Sequence, residues 1–258
     1  MSIPRPRIEA IYRYPVKGLS PEPLPDTLLT LGETVPGDRV YAIENGPSGF
    51  DVEAPRYQPK QRFLMLMRNE RLARLRTSFE TDSHTLSIAL GGAEVVRGNL
   101  QKSAGRVRIE QFFASFCADE LRGPPRILHA PGFSFSDVAR KVVSLVNLAS
   151  VASIENAVGA AINPLRFRAN LYLSGWPAWR ELDLVGRDIA IGRGVRLRVL
   201  KRIVRCAAID VDPDTGMREL PILRALPRSF GHMDCGVYCA VIAAGVISRG
   251  DEVHCLSN

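Results

Sequence analysis

The chain predicts a β-rich α+β fold with few short helices, on three observations. Short apolar runs with period-two alternation recur along the whole length, separated by turn residues. Eighteen prolines and twenty-one glycines are scattered rather than clustered, so they cut the chain into many small elements. Helical spacing surfaces in only two stretches, which favours a barrel or another strand-dominated architecture. A length of 258 residues allows one large domain or two small ones, and 46% apolar residues is ordinary for a globular core.

In chain order, Ile8 to Tyr14 places Ile8, Ala10, Tyr12 and Tyr14 on one face of a strand that Pro15 stops. Pro21 to Pro25 cannot supply a full set of ladder donors; it precedes the apolar run Leu28 to Leu31 and the turn Pro36 to Arg39. Val40 to Ile43, Phe63 to Met67 and Leu86 to Leu90 read as further short strands, with Asn45 to Gly49 as a loop tip. Glu110 to Leu121 has helical spacing, Phe112 and Phe116 in one row and Phe113, Cys117 and Leu121 in the next, and Gly123-Pro-Pro125 ends it. The Pro-, Gly- and Ser-rich segment Arg126 to Asp137 marks a boundary between residues 1–125 and 126–258. Beyond it, Val142 to Val146 reads as a buried strand. Val151, Ile154 and Val158 give a short helix with Ser150 as N-cap and Gly159 at its end. The remaining strands fall at 168–173, 189–191, 195–199, 203–204 and 237–242.

Thirty-four basic against twenty-seven acidic residues leave a net charge of +7, which favours anionic ligands or partners. No stretch has the ~18 consecutive apolar residues of a membrane span, and the start lacks the apolar core of a secretory signal, so a cytoplasmic protein without membrane attachment is expected. Five cysteines, an odd number, then argue for free thiols. Phosphate-binding glycine loops, a Gly-x-Ser-x-Gly elbow and His-Glu-x-x-His are absent, and the four histidines show no metal-ligand spacing. Basic residues alternate along strands, as in Arg196-Leu-Arg198, without interleaved aromatics, so no nucleic-acid partner is expected.

The richest stretch is Lys201 to Gly216, which sets Cys206 directly after a strand with Arg202 and Arg205 beside it. Cations favour the thiolate, the form that binds a soft metal or attacks an electrophile. Asp212-Pro-Asp-Thr-Gly216 is a turn by composition that could hold Cys206 at a barrel mouth. On the residues alone, a buried strand-end cysteine is the competing reading.

Tyr14-Pro-Val-Lys17, Phe167-Arg-Ala-Asn170 and Arg205-Cys206 followed by Val211-Asp-Pro-Asp-Thr-Gly216, in that order, resemble the MOSC domain proteins. Within them the chain is most similar to the branch of the mitochondrial amidoxime reducing component and its bacterial relatives. The resemblance implies a MOSC β-barrel domain packed with an N-terminal β-barrel-like domain. It further implies a molybdenum cofactor (Mo-pyranopterin), with Cys206 as metal ligand and catalytic centre. The family pattern maps cofactor contacts onto Lys17, Arg39, Ser150, Arg168, Asn170 and Arg205. Arginine offers a planar fork for phosphate, lysine a point charge, asparagine paired donor and acceptor edges, and Ser150 at a helix start is placed for a phosphate or a simple cap. Lys60 lies in a polar segment that faces the cofactor in relatives. Pyridoxal phosphate binding is a further association of the superfamily.

The implied activity is reduction of N-hydroxylated compounds such as amidoximes, hydroxylamines and N-hydroxylated bases. A separate ferredoxin-like, flavin or cytochrome protein would supply the electrons, because the chain carries no ferredoxin-like cysteine cluster. A molybdenum cofactor or persulfide carrier is the alternative. Residues 68–130 match the family poorly. Cys235 and Cys239, four apart on one strand face, and Cys117 read as core, with zinc at Cys235, Cys239, His254 and Cys255 the weaker reading. Trp176 and Trp179 read as packing, with a place at the substrate mouth as the alternative.

Overall fold

The computed structural model describes residues 5–256. Its centre is an eight-stranded sheet of order β15-β11-β12-β13-β9-β10-β1-β2. The strands, in chain order, are β1 (Arg7–Arg13), β2 (Glu22–Leu24), β3 (Asp26–Leu29), β4 (Ala42–Asn45), β5 (Leu75–Glu80), β6 (Thr85–Leu90), β7 (Ala93–Asn99), β8 (Pro125–Leu128), β9 (Val143–Asn147), β10 (Leu171–Ser174), β11 (Asp188–Ile191), β12 (Val195–Val204), β13 (Asp234–Ala243), β14 (Gly245–Ser248) and β15 (Val253–Cys255). Three α-helices, α1 (Ser103–Phe116), α2 (Leu148–Val158) and α3 (Ile222–Phe230), complete a β-rich α+β fold. β9 and β10 are parallel and joined through α2, as a parallel pair requires a crossover; the other pairings of the large sheet are antiparallel. Three register shifts between β12 and β13 add twist and curl the sheet.

The alternating pattern of Ile8 to Tyr14 forms β1, with one correction. A bulge between Ile8 and Ala10 breaks the two-residue period, so Ile8 and Ile11 enter the core of the large sheet while Ala10 and Tyr12 face a second core against α2 and α3. The prolines around Glu22 are accommodated because β2 is the edge strand. Phe63 to Met67 is not a strand: after one bridge from Phe63 to Glu44, the Asn69 side chain accepts from the Met65 amide and the chain turns. The first helix begins at Ser103 and ends at Phe116, earlier at both ends than the spacing suggested, and its buried face is Ile109 and Phe113. Residues 168–170 precede the strand expected there. Pro164 to Phe167 form a 3-10 turn capped by Asn163, which Arg168 closes in the left-handed conformation at φ 50°. The two runs expected at 195–199 and 203–204 are one ten-residue strand, and α3 was not anticipated.

Residues 1–125 and 126–258 meet at β8, which pairs with β4, while β1 and β2 lie in the large sheet and β3 pairs with β14. A separate core of Leu64, Leu75, Ile88, Ile109 and Phe113 fills the space between α1 and the sheet β5-β6-β7. Cys117 closes that core, and burial pushes its thiol up to about 12. No helix among the described residues is long and apolar enough to cross a membrane.

Candidate functional site

The site grows from the end of β1. Pro15 stops the strand, and the Tyr14 amide donates to Asp38 Oδ1 at 2.8 Å, fixing the turn that carries Arg39. Two guanidinium groups then lie over the buried Tyr14 ring, Arg39 at 4.8 Å and Arg168 at 4.3 Å from its centroid. Asp38 pairs with Arg39, whose Nη2 donates to the Arg168 carbonyl at 3.1 Å; Arg168 Nη2 donates to the Leu19 carbonyl at 2.8 Å. Arg168 reaches this position through its left-handed backbone, which turns it out of line with β10. Burial raises the Tyr14 hydroxyl pKa and lowers that of Arg168.

Two residues on, buried Lys17 donates to the Phe135 carbonyl at 2.9 Å and pairs with Asp137. Asp137 also faces Lys60 Nζ at 3.8 Å, and Lys60 Nζ stands 3.2 Å from Cys206 Sγ. Burial holds Lys17 below the ordinary lysine value, with Asp137 only partly offsetting it. Burial opposes the Asp137 carboxylate, but Lys17 and Lys60 outweigh it and hold this carboxyl well below the usual range. Burial likewise works against the Lys60 ammonium, and Asp137 with the Cys206 sulfur overcomes it, raising Lys60. A chain of contacts therefore runs from Lys17 through Asp137 and Lys60 to the thiol.

Cys206 is half-buried just past β12, where its carbonyl accepts from Ile209 and starts a 3-10 turn. The following Asp212 to Gly216 turn forms as its composition dictates: Asp212 Oδ1 accepts from the amides of Asp214 and Thr215 at 2.9 and 2.8 Å. Arg166, buried beside Phe167, pins this turn by pairing with Asp212 and Glu219 and donating to the Asp210 carbonyl at 2.8 Å.

A cleft of about 320 Å³ joins these parts. Lys17, Arg39, Lys60, Arg166, Arg168, Lys201, Arg202 and Arg205 line it against the single carboxylate of Asp137. Cys206, Tyr238, Ser144 and Asn170 complete the walls that matter here.

Of the expected residues, Lys17, Arg39, Arg168, Asn170, Arg205 and Cys206 are brought together at this cleft. Asn170 is tied into the sheet, accepting from the Ser144 amide and hydroxyl at 3.1 and 2.8 Å and donating to the Tyr12 carbonyl at 3.1 Å. Arg205 does not serve the thiol directly; its Nε and Nη1 donate to the carbonyls of Cys235 at 2.6 Å and Phe167 at 2.8 Å. Arg202 donates to the Leu182 carbonyl at 3.2 Å and lies 3.7 Å from Asp234. The cation at the sulfur is Lys60, 146 residues away in sequence.

Ser150 is not among the cleft residues. The cap of α2 is Asn147, which accepts from the Ala149 amide at 3.2 Å. Fully buried Ser150 donates to Glu181 at 2.9 Å and accepts from the Trp179 amide at 2.8 Å, so an internal carboxylate already occupies the helix start. Cys235 and Cys239 do not share a face: Gly236, at φ 80°, reverses the alternation, and the two thiols enter different cores. A Cβ at Gly236 would stand 2.4 Å from the Leu145 carbonyl, so only glycine fits there. Among the described residues no group of three or more His, Cys, Asp or Glu gathers as a metal site. Trp176 is buried in the sheet core and Trp179 packs 4.6 Å from Phe230, centroid to centroid.

Asp137 and Tyr238 were not singled out in the sequence. Asp137 falls in a segment whose composition reads only as loop, and Tyr238 sits inside an apolar run; neither carries a local signal of its place beside Lys60 or Lys201.

The donor set fits an anionic, sulfur-ligated group. One accessible thiol faces a cationic cleft, and Arg205, which lines the cleft, keeps one guanidinium nitrogen, Nη2, buried with no hydrogen-bond partner among the described residues. Fold and site thus define a β-rich protein whose cleft presents a single cysteine among basic side chains. The chain belongs to the MOSC domain proteins: the MOSC domain matches residues 130–254, and the MOSC N-terminal beta barrel domain matches residues 5–120. Among solved structures it aligns with the YUAD protein from Bacillus subtilis at 15% identity over 98% of each chain, TM-score 0.46. It also aligns with YiiM from Geobacillus stearothermophilus at 20% identity over 45% of this chain and 54% of that one, TM-score 0.34. No curated protein matches the sequence.

Proposed function

We propose that this chain binds a molybdenum cofactor through Cys206 and reduces N-hydroxylated compounds with electrons from a separate donor protein. The observation that carries the proposal is the Cys206 thiol in a cleft of eight basic side chains and one carboxylate. In the reaction the N–O bond of an amidoxime breaks, two electrons and two protons are consumed, and an amidine and water leave. The cofactor, when bound, supplies a two-electron redox centre beside the substrate.

The protein's part is to bind and orient. Cys206 is the sulfur ligand, and the Lys60 ammonium stabilises negative charge on that sulfur. Arg39 and Arg168, held over the Tyr14 ring, and Lys17 would receive the cofactor phosphate. The unpartnered Arg205 nitrogen offers one further donor. Arg166 holds the Asp212 turn and so keeps Cys206 in place.

The test is molybdenum content by mass spectrometry of protein purified from a cofactor-competent host, native against Cys206→Ser, followed by turnover of benzamidoxime. Near-stoichiometric metal in the native chain, at least tenfold less in the variant, and turnover only by the native chain are the expected results. Metal without turnover points to the cofactor carrier. Absence of metal, with a loaded control enzyme from the same host, defeats the cofactor proposal and leaves the persulfide carrier.

A further inference from the structure

Every other cation of the cleft is committed, to a carboxylate or to backbone carbonyls. Lys201 is the exception. It is exposed, lines the same cleft, and has no ion pair or hydrogen bond among the described residues. Its one specific contact is with Tyr238, whose ring centroid lies 5.7 Å from Nζ.

The sheet builds this pairing. Lys201 on β12 stands opposite Tyr238 on β13, and Tyr238 in turn stands opposite Ser144 on β9, so the three form a cross-strand row that the cleft exposes. The register shift between Val199 and Lys201 sets which side chains of β12 meet this row. From Tyr238 the electrostatic contacts lead to Lys60, and Lys60 touches Cys206. Arg39 and Arg168, over the Tyr14 ring, line the same cleft but are held by Asp38 and by backbone carbonyls.

The Tyr238 ring, in the same cleft as Cys206 and with the uncompensated Lys201 ammonium over it at 5.7 Å from its centroid, accepts an aromatic body that ends in negative charge. We propose that Tyr238 and Lys201 form a substrate subsite in which Lys201 selects N-hydroxylated compounds bearing an oxyanion group, a carboxylate or a phosphonate-type phosphorus acid. This rests on the proposed reductase activity for the identity of the reacting group; the selection for negative charge rests on the cleft alone. The ammonium acts as a point charge that salt screens, so the selection weakens at high ionic strength.

The experiment compares benzamidoxime with 4-carboxybenzamidoxime and 4-phosphonobenzamidoxime on the cofactor-loaded protein, by kcat/KM and by calorimetric Kd. Native protein and the Lys201→Met and Lys201→Arg variants are measured at 20 mM and 500 mM salt. The expected result is at least a tenfold preference for an anionic compound in both readouts at low salt. That preference falls toward one in Lys201→Met, returns in Lys201→Arg and shrinks at high salt. The ratio between the two anionic compounds separates carboxylate from phosphorus acid. Equal kcat/KM and Kd for neutral and anionic compounds, or a preference that survives Lys201→Met, overturns the inference. If none of the three compounds is turned over, the reductase proposal fails. Calorimetry then decides this inference by itself: Lys201-dependent tighter binding of an anionic compound sustains the subsite, and equal binding overturns it.

Discussion

Lys17 shows how one buried side chain sets the chemistry of the cleft. The residue is 4% exposed, burial lowers its pKa, and its carboxylate partner only partly restores it. It loses its proton at a lower pH than a free lysine. Cleft affinity for inorganic sulfate, an anion whose charge does not change over this range, therefore declines before the pH reaches the ordinary lysine value of roughly 10.4. Lys17→Met removes that early decline. Sulfate titration by calorimetry at stepped pH checks this, and an identical decline in the variant contradicts it. Asp137 behaves oppositely: its carboxyl stays ionised well into acid, so the Lys17–Asp137–Lys60 cluster persists until the pH falls far below the usual carboxylate range. With 44% of its side chain exposed, solvent screens this cluster, and its weight in stability is small.

At the scale of elements, the start of α2 settles where a phosphate is not expected. Glu181 fills that position from inside, bonded to Ser150, with its other oxygen buried and unpartnered among the described residues. Burial raises its pKa, so the folded chain holds a proton that the unfolded chain has released between the unfolded value, roughly 4.3, and the raised folded one. Stability falls as pH rises across that window, since the native state there binds more protons than the unfolded state. Glu181→Gln keeps an acceptor for Ser150 and removes the ionisable group. Denaturant midpoints measured from pH 4 to 8 are expected to fall with pH in the native chain and to flatten in the variant.

The element scale also explains the strands that periodicity misplaced. Bulges in β1 and β12 and the left-handed Gly236 in β13 each reverse which face a side chain occupies. Their cross-strand partners are distant in sequence, so no local window contains them.

For the whole molecule, the large sheet ignores the division of the chain into 1–125 and 126–258. β1 and β2 extend it past β10, and Ile8, Ile11 and Leu29 lie in the same core as Leu145, Leu171 and Val241. A fragment of residues 126–258 lacks those strands, exposes the edge of β10 and loses four fully buried core side chains, Ile8, Ile11, Leu29 and Val35, about 1.5 to 3 kcal/mol each. It is expected to be unfolded or aggregated, with most amide protection lost by hydrogen exchange. Co-expression with residues 1–125 restores protection. A fragment with native-like protection by itself contradicts this account. The cleft draws on both parts as well, since Lys17, Arg39 and Lys60 come from the first and Asp137, Arg168 and Cys206 from the second.

The sequence by itself determined the strand-rich class, the family and most of the cleft. These were legible because turn residues and apolar alternation are local, and because Tyr14-Pro-Val-Lys17, Arg168 with Asn170, and Arg205-Cys206 are short contiguous patterns. Only the tertiary structure decided which cation meets the thiol, that Ser150 serves an internal carboxylate, and that Asp137 and Lys201 belong to the cleft. The physical reason is that Coulomb interaction and burial act through space over a few ångströms. Lys60 and Cys206 become neighbours only once the large sheet and the segment before Phe63 have packed together, and nothing in either residue's own surroundings along the chain records that contact.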